Sequence, residues 1–373
     1  MDRATKIRRT CSLTRRVDAQ LSEQAVASRL RIFTYPLHAR VRSFQREAFL
    51  RERACYPEDY AAFHLISKLF ATRLGTKDPD RADGFFLPLY WPAFECHRIE
   101  LRETIERLQF SGGGARHLIF SPWDTYPRPL ARRANPYCCV DYGRADGVVA
   151  DAYYVDSLRW LDERFTLICY ESSIDTLPHD VGLYPTLPMT PTSPLDGPRD
   201  LLYSFAGSFL YFDGDHVRGT AAAPHWERLR DDPAADAFVG TLDEARARFG
   251  RKVDYFSLPR ASTFTLCPAG WGRWSFRTTE AILSGSIPVI LADYYELPLR
   301  ESVPWSEFAL VLPEGGLGRV DRTLRNLSRE KVQALQRGLA RHQRLFTSGG
   351  VIRPLVRRLE RVLRRGRAAL SRP

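Results

Sequence analysis

A chain of 373 residues with 44% hydrophobic content is too long for one typical core and long enough for two α/β domains of ordinary size. Its charge of +11 is uneven: eight arginines against one glutamate from Val351 onward put +7 on the tail, so the basic balance does not mark a nucleic-acid-binding face, and no nucleic-acid partner is expected. Seven cysteines without C-x-x-C spacing argue against a disulfide framework, no apolar run reaches the roughly 18 residues of a membrane span, and MDRATKIRRTCSLTRR has no signal-peptide core, which together predict a cytoplasmic protein.

Residues 1–30 are polar and basic without apolar period and are expected to form a loose arm. Structure is predicted from Arg31: a strand at RIFTY, then a helix over Asp59 to Leu74, where Phe63, Ile66, Leu69 and Phe70 fall at helical spacing. GFFLPLY (84–90) reads as a buried strand, followed by a helix near His97 to Gln109 and strands at His117 to Ser121 and Phe165 to Tyr170. The stretch from Pro185 to Pro198 holds five prolines, which exclude helix and central strand and make it the candidate interdomain linker. Strands then follow at Leu201 to Gly207, Thr263 to Cys267, Ile287 to Leu291 and Phe308 to Leu312, with helices near Leu242 to Phe249 and Trp274 to Leu283. This alternation predicts an α/β fold of two doubly wound domains, residues 31–190 and 191–345, each binding ligands at the carboxyl ends of its strands.

The chemistry concentrates in TFTLCPAGWGRWSFRTTEAILSGSIPVIL, from Thr263 to Leu291. A buried strand ends at Cys267, a loop with Gly270 and Gly272 follows, and a helix opens near Ser275. Loop amides and the unsatisfied N–H groups of a first helical turn both suit a diphosphate. Ser275 is placed to cap the helix or bond a phosphate oxygen, Arg273 and Arg277 add positive charge, and Glu280 shares a helix face with Arg277, where a carboxylate can accept from two ribose hydroxyls. Spacing alone does not separate this donor site from a plain turn followed by a surface ion pair.

The run Ser275-x-Arg277-x-x-Glu280-Ala281 with Gly285-x-Ile287-Pro288-Val289-Ile290 resembles the donor-site motif of the exostosin family, glycosyltransferase family 47. Asp78-Pro79 with Ala82-Asp83-x-Phe85-Phe86-x-Pro88-x-Tyr90, His179-Asp180-Val181 with Pro185, Arg199 with Phe205-Ala206-Gly207, and Leu297-Pro298 through Trp305, Phe308 and Glu314 are similar to further motifs of that family, in order. The resemblance implies a GT-B architecture with two domains facing a cleft, and inverting transfer of a sugar from a nucleotide diphosphate donor, UDP by family habit, to a growing or lipid-linked glycan. It further implies that Arg277 binds the diphosphate, Ser275 assists and Glu280 holds the ribose. Ala269 departs from the pattern, which often has a basic residue after the loop proline; Arg273 is the candidate substitute. The absence of a membrane anchor here is more like a single-module, bacterial-type relative.

Inverting transfer needs a base for the acceptor hydroxyl. Asp124, directly after the predicted strand at His117 to Ser121, is the first candidate and Asp180 the second, with a turn carboxylate as the competing reading of Asp124. Asp213-Gly214-Asp215 is read as a turn in preference to a metal site, so neither metal nor cofactor is expected. Ser111 to Gly114 precedes a strand and reads as a connection, and Cys138-Cys139 as packing residues. In residues 346–373, Ile352, Leu355, Val356, Leu359, Val362 and Leu363 share one face of a basic amphipathic helix, either on anionic lipid at the inner membrane face or packed back across the domains. The alternative to an enzyme is a catalytically silent sugar- or nucleotide-binding protein of the same fold.

Overall fold

The computed structural model describes residues 2–37, 39–51, 56–90, 116–121, 165–170, 181–197, 199–208, 217–218, 222–231, 236–270, 275–293 and 297–370. The helix predicted near His97 to Gln109, the glycine run at 111–114, Cys138-Cys139 and Asp213-Gly214-Asp215 lie outside them. The chain divides into two units, Met1–Pro188 with Ser348–Pro373, and Met189–Thr347.

The first unit holds strands β1 (Ile32–Thr34), β2 (Gly75–Thr76), β3 (Gly84–Phe86), β4 (His117–Ser121), β5 (Phe165–Tyr170) and β6 (Val181–Leu183) in the order β2-β1-β3-β4-β5-β6, every neighbour parallel. Parallel pairing requires crossovers, supplied between β1 and β2 by helices α2 (Ala39–Arg51) and α3 (Pro57–Lys68). α3 opens on Pro57 with Glu58 and Asp59 in its first turn, then relaxes into one π-helical turn, Leu69–Arg73. The strand expected over 84–90 pairs only through Phe86, because Pro88 has no N–H to donate and the Leu89 N–H turns back to the Leu87 carbonyl at 2.8 Å. Leu87, Leu89 and Tyr90 remain fully buried all the same.

Residues 3–22 are not a loose arm. They form helix α1 (Arg3–Ser22), capped by Asp2 accepting from the Thr5 N–H at 3.0 Å, with Val17 and Leu21 buried. Most of its docking is polar, which an apolar period does not register. The Lys6 ammonium donates to the Phe49 carbonyl and sits 4.4 Å from that ring's centroid, Arg9 pairs with Glu58, and His64 bonds Asp18 at 2.8 Å.

The second unit holds β7 (Leu201–Ala206), β8 (Ala237–Gly240), β9 (Ser262–Pro268), β10 (Ile287–Leu291) and β11 (Leu310–Leu312) in the order β11-β10-β9-β7-β8, again all parallel. Ile287-Pro288-Val289-Ile290-Leu291 is buried at every position, as a parallel strand covered on both faces requires. Its helices are α4 (Ala223–Asp231), α5 (Leu242–Phe249), α6 (Ser257–Arg260), α7 (Phe276–Leu283), α8 (Val320–Arg325) and α9 (Arg329–His342). β11 is shorter than predicted because Phe308 closes the 3-10 turn Trp305–Glu307. The proline-rich stretch does not hang free where it enters this unit: the Thr192 N–H donates to the Leu283 carbonyl at 2.8 Å.

Helix α10 (Ile352–Leu370) belongs to the first unit. Its predicted apolar face is buried there, Leu355 and Leu359 completely, and Glu360 accepts from the Ser28 hydroxyl at 2.6 Å. The face on which a lipid-lying helix would depend is thus already covered by protein, while Arg353, Arg357 and Arg361 stay outside. Two parallel α/β units in one chain are the components of a GT-B architecture.

Candidate active site

In both sheets the first strand lies between the second and the third, so chain order reverses beside it. In the second unit that reversal falls between β7 and β9, and open parallel sheets take ligands at the carboxyl ends of such a strand pair. The segment from β9 to β10 brings its polar side chains there. The Ala269 N–H continues the ladder to the Leu291 carbonyl at 3.0 Å, and α7 then opens on Ser275, whose Oγ accepts from the Arg277 N–H at 3.2 Å. α7 buries Thr278, Thr279, Ala281, Ile282 and Leu283.

Its end is set by glycine. Gly285 has φ +75°, the Gly285 N–H donates to the Ile282 carbonyl at 3.1 Å and the Ser286 N–H to the Ala281 carbonyl at 2.9 Å, a Schellman motif. A Cβ at this position would stand 2.7 Å from both the Thr192 carbonyl oxygen and an Arg199 nitrogen.

Arg277 and Glu280 are not a solvated pair. Their side chains are 10% and 16% exposed, with Nη1 of Arg277 2.9 Å from Glu280 Oε2. Nη2 donates to the Ala206 carbonyl, the last residue of β7, at 2.8 Å, Nη1 reaches the Tyr255 carbonyl at 3.4 Å, and the guanidinium lies 4.5 Å from the Tyr255 ring centroid. Its Nε is buried without a hydrogen-bond partner among the described residues. The fork is therefore fixed at the strand reversal, a preset cation where an anion would dock. Nearby Cys267 is fully enclosed; burial pushes its thiol up to about 12 against the pull of Arg277, so it stays protonated and serves as packing.

Further polar groups reach the same end of the sheet. Arg218 donates to the Pro268 carbonyl at the end of β9 (3.2 Å) and sits 5.4 Å from the Phe205 ring centroid. Glu314, beyond β11, accepts from the Val217 N–H at 2.8 Å and from the Asp293 N–H at 3.4 Å, while Asp293, beyond β10, accepts from the Glu314 N–H at 3.1 Å.

A family model described as the Exostosin GT47 domain matches residues 27–327. The chain belongs to the exostosin GT47 family. Among its relatives are a probable β-1,4-xylosyltransferase of Arabidopsis thaliana, 25% identical over 333 residues that span 85% of this chain and 76% of the relative, and a probable glucuronosyltransferase of Oryza sativa subsp. japonica, 26% identical over 338 residues spanning 85% and 73%. The crystal structure of Acinetobacter baumannii MurG superposes with a TM-score of 0.33 at 10% identity over 88% of this chain and 99% of that one, too loose a likeness to bear on either fold or function. The family and its relatives make this exostosin-family chain a glycosyltransferase.

Of the residues singled out from the sequence of this GT47 protein, Ser275, Arg277 and Glu280 come together, with the Gly270 backbone at the start of the loop that leads to them. Gly272, Arg273, Asp124 and Asp180 lie outside the described residues. Ala269, where many family members carry a basic residue, is 1% exposed. Arg199, which carries part of the family resemblance, stands at the opposite, amino end of the sheet and donates to the Pro259, Arg260 and Ser262 carbonyls at 3.1, 2.8 and 3.0 Å. Arg218 and Asp293 were not singled out. A signal existed for Asp293, a carboxylate just past a buried strand; none existed for Arg218, whose place depends on packing against Phe205.

Proposed function

We propose that this glycosyltransferase moves a sugar with inversion from a nucleotide diphosphate sugar, UDP-linked, to a growing glycan. The observation that carries the reading is the Arg277 guanidinium, fixed at the carboxyl end of β7 and paired with a shielded Glu280. In this reading the diphosphate docks on Arg277 and the α7 N-terminus, whose charge stabilises the departing group, while Glu280 accepts from the ribose. Arg218 adds a second cation to the same end. Asp124, or failing that Asp180, takes the proton of the acceptor hydroxyl. Because the arginine and the helix end supply the positive charge, the mechanism is metal-independent; transfer abolished by a chelator and restored by manganese would overturn that.

The relatives' names direct the first donors to UDP-xylose and UDP-glucuronate. Thermal shift against a nucleotide-sugar panel, followed by transfer assays, tests the reading, since preferential binding to the folded state raises the melting temperature. The expected outcome is stabilisation by a UDP-sugar that Arg277→Ala abolishes, and transfer that Asp124→Ala abolishes. An Arg277→Ala protein that still takes the donor normally removes the basis of the proposal.

A further inference from the structure

The first unit carries a cavity of about 670 Å³, within the roughly 300 to 1,000 Å³ common for small-molecule sites. It lies where the residues following β1, β2 and β3 emerge, since Tyr35, Lys77 and Pro88 all line it. Strand order in this sheet reverses between β1 and β3, so this is the position at which a parallel sheet receives a ligand. The facing wall is one side of α3, with Tyr60, Phe63 and Ser67 at i, i+3 and i+7, continued by Ala71 in the π-helical turn. Such turns recur at functional sites. Gly75 is what lets β2 run against that turn, because a Cβ there would stand 2.4 Å from the Ala71 carbonyl oxygen.

The lining has a definite chemistry. Thr34 Oγ1 and Ser67 Oγ are buried without hydrogen-bond partners among the described residues, a cost that a hydroxyl-rich ligand relieves. Tyr60 and Phe63 offer ring surface beside them. Arg42 and Lys77 line the cavity and are exposed, Arg42 with one N–H fixed on the Leu37 carbonyl at 2.7 Å. Among the described lining residues there is no Asp or Glu. Hydroxyls within, rings alongside and cations at the rim, with no carboxylate among the described lining residues, describe a sugar ring that bears a carboxylate.

We propose that this cavity binds a uronic acid unit of the glycan. Thr34 and Ser67 bond its ring hydroxyls, Tyr60 and Phe63 lie along its apolar edge, and Lys77 with Arg42 holds the carboxylate. The proposal rests on the glycan-extending role stated above and names the chemistry of its acceptor.

Calorimetry on the full chain tests it with two probes, a glucuronate-bearing oligosaccharide and the same oligosaccharide after carboxyl reduction, with UDP binding measured in the same samples. The acidic probe is expected to bind about tenfold more tightly than the reduced one. Lys77→Gln, with Arg42→Gln added where needed, is expected to erase that preference while leaving the reduced probe unchanged, and Ser67→Ala to weaken both probes. Equal binding of the two probes, a preference that survives the double variant, or displacement by inorganic phosphate at matched concentration would each overturn the proposal. If UDP binds and the acidic preference is missing, this inference fails and the transferase reading stands. If the preference depends on Lys77 and no nucleotide binds, the cavity remains a uronate site and the donor reading fails instead.

Discussion

Two arginines of the second unit have the same chemistry at opposite ends of one sheet. Arg199, at the amino ends of β7 and β9, directs its fork at backbone carbonyls of the chain leading into β9, and burial lowers its pKa from the ordinary guanidinium range. Arg277, at the carboxyl ends, touches a strand-end carbonyl too, but also holds an adjacent carboxylate; the Nε of each arginine is buried without a hydrogen-bond partner among the described residues. The first arginine is held by backbone carbonyls, whereas the second is held by a carboxylate as well. Burial of a charge is therefore no guide to function until its partners are counted.

Substitutions at each end of the sheet separate the two arginines. Arg199→Ala leaves several carbonyls without a donor and is expected to lower unfolding stability by about 3 kcal/mol in urea titrations, with donor affinity per folded molecule unchanged. A loss of donor affinity there would end the distinction. Arg277→Ala is expected to weaken UDP-sugar binding about a hundredfold, roughly 2.7 kcal/mol by calorimetry, with a smaller stability change than at Arg199. Arg277→Lys keeps the charge, loses the fork and should fall between. Gly285→Ala forces a left-handed residue against Thr192 and Arg199, and should cost about 2 kcal/mol of stability.

The smallest effect concerns pH. Asp236, just before β8, accepts two bonds from Arg325 at 3.0 and 2.9 Å, which hold its carboxyl below the usual range. Because the folded value is depressed, its contribution is complete above roughly pH 4 and is lost as pH falls through the folded value. Asp236 is 46% exposed, so solvent reduces the effect to below about 1 kcal/mol. Acid titration of Asp236→Asn against the parent should show that small difference confined to the acid limb.

Much of the second unit was legible in the sequence because its strands are nearly continuous apolar runs. The turn after α7 was equally readable, for Gly285 is the residue a left-handed position demands. The pairing of Arg277 with Glu280 followed from helical spacing; their shielding did not, since that depends on Tyr255 and Ala206, remote in the chain. α1 escaped for a different reason. A helix that docks through Lys6, Arg9 and Asp18 has no apolar stripe to betray it. The tail's amphipathic face was plain, but amphipathicity states only that a face will be covered, not by what.

The return of α10 to the first unit has a consequence for how the molecule is made. The ribosome delivers Met189–Thr347 as one uninterrupted stretch, while the unit begun before it lacks α10 until residues 352–370 have been added. The later unit is thus able to mature first, and its predecessor waits with Gly84 and its neighbours uncovered where Leu363 will come to rest. Limited proteolysis of chains terminated at Thr347 should cut the opening portion and spare the rest; equal resistance of both would show that the closing helix is dispensable.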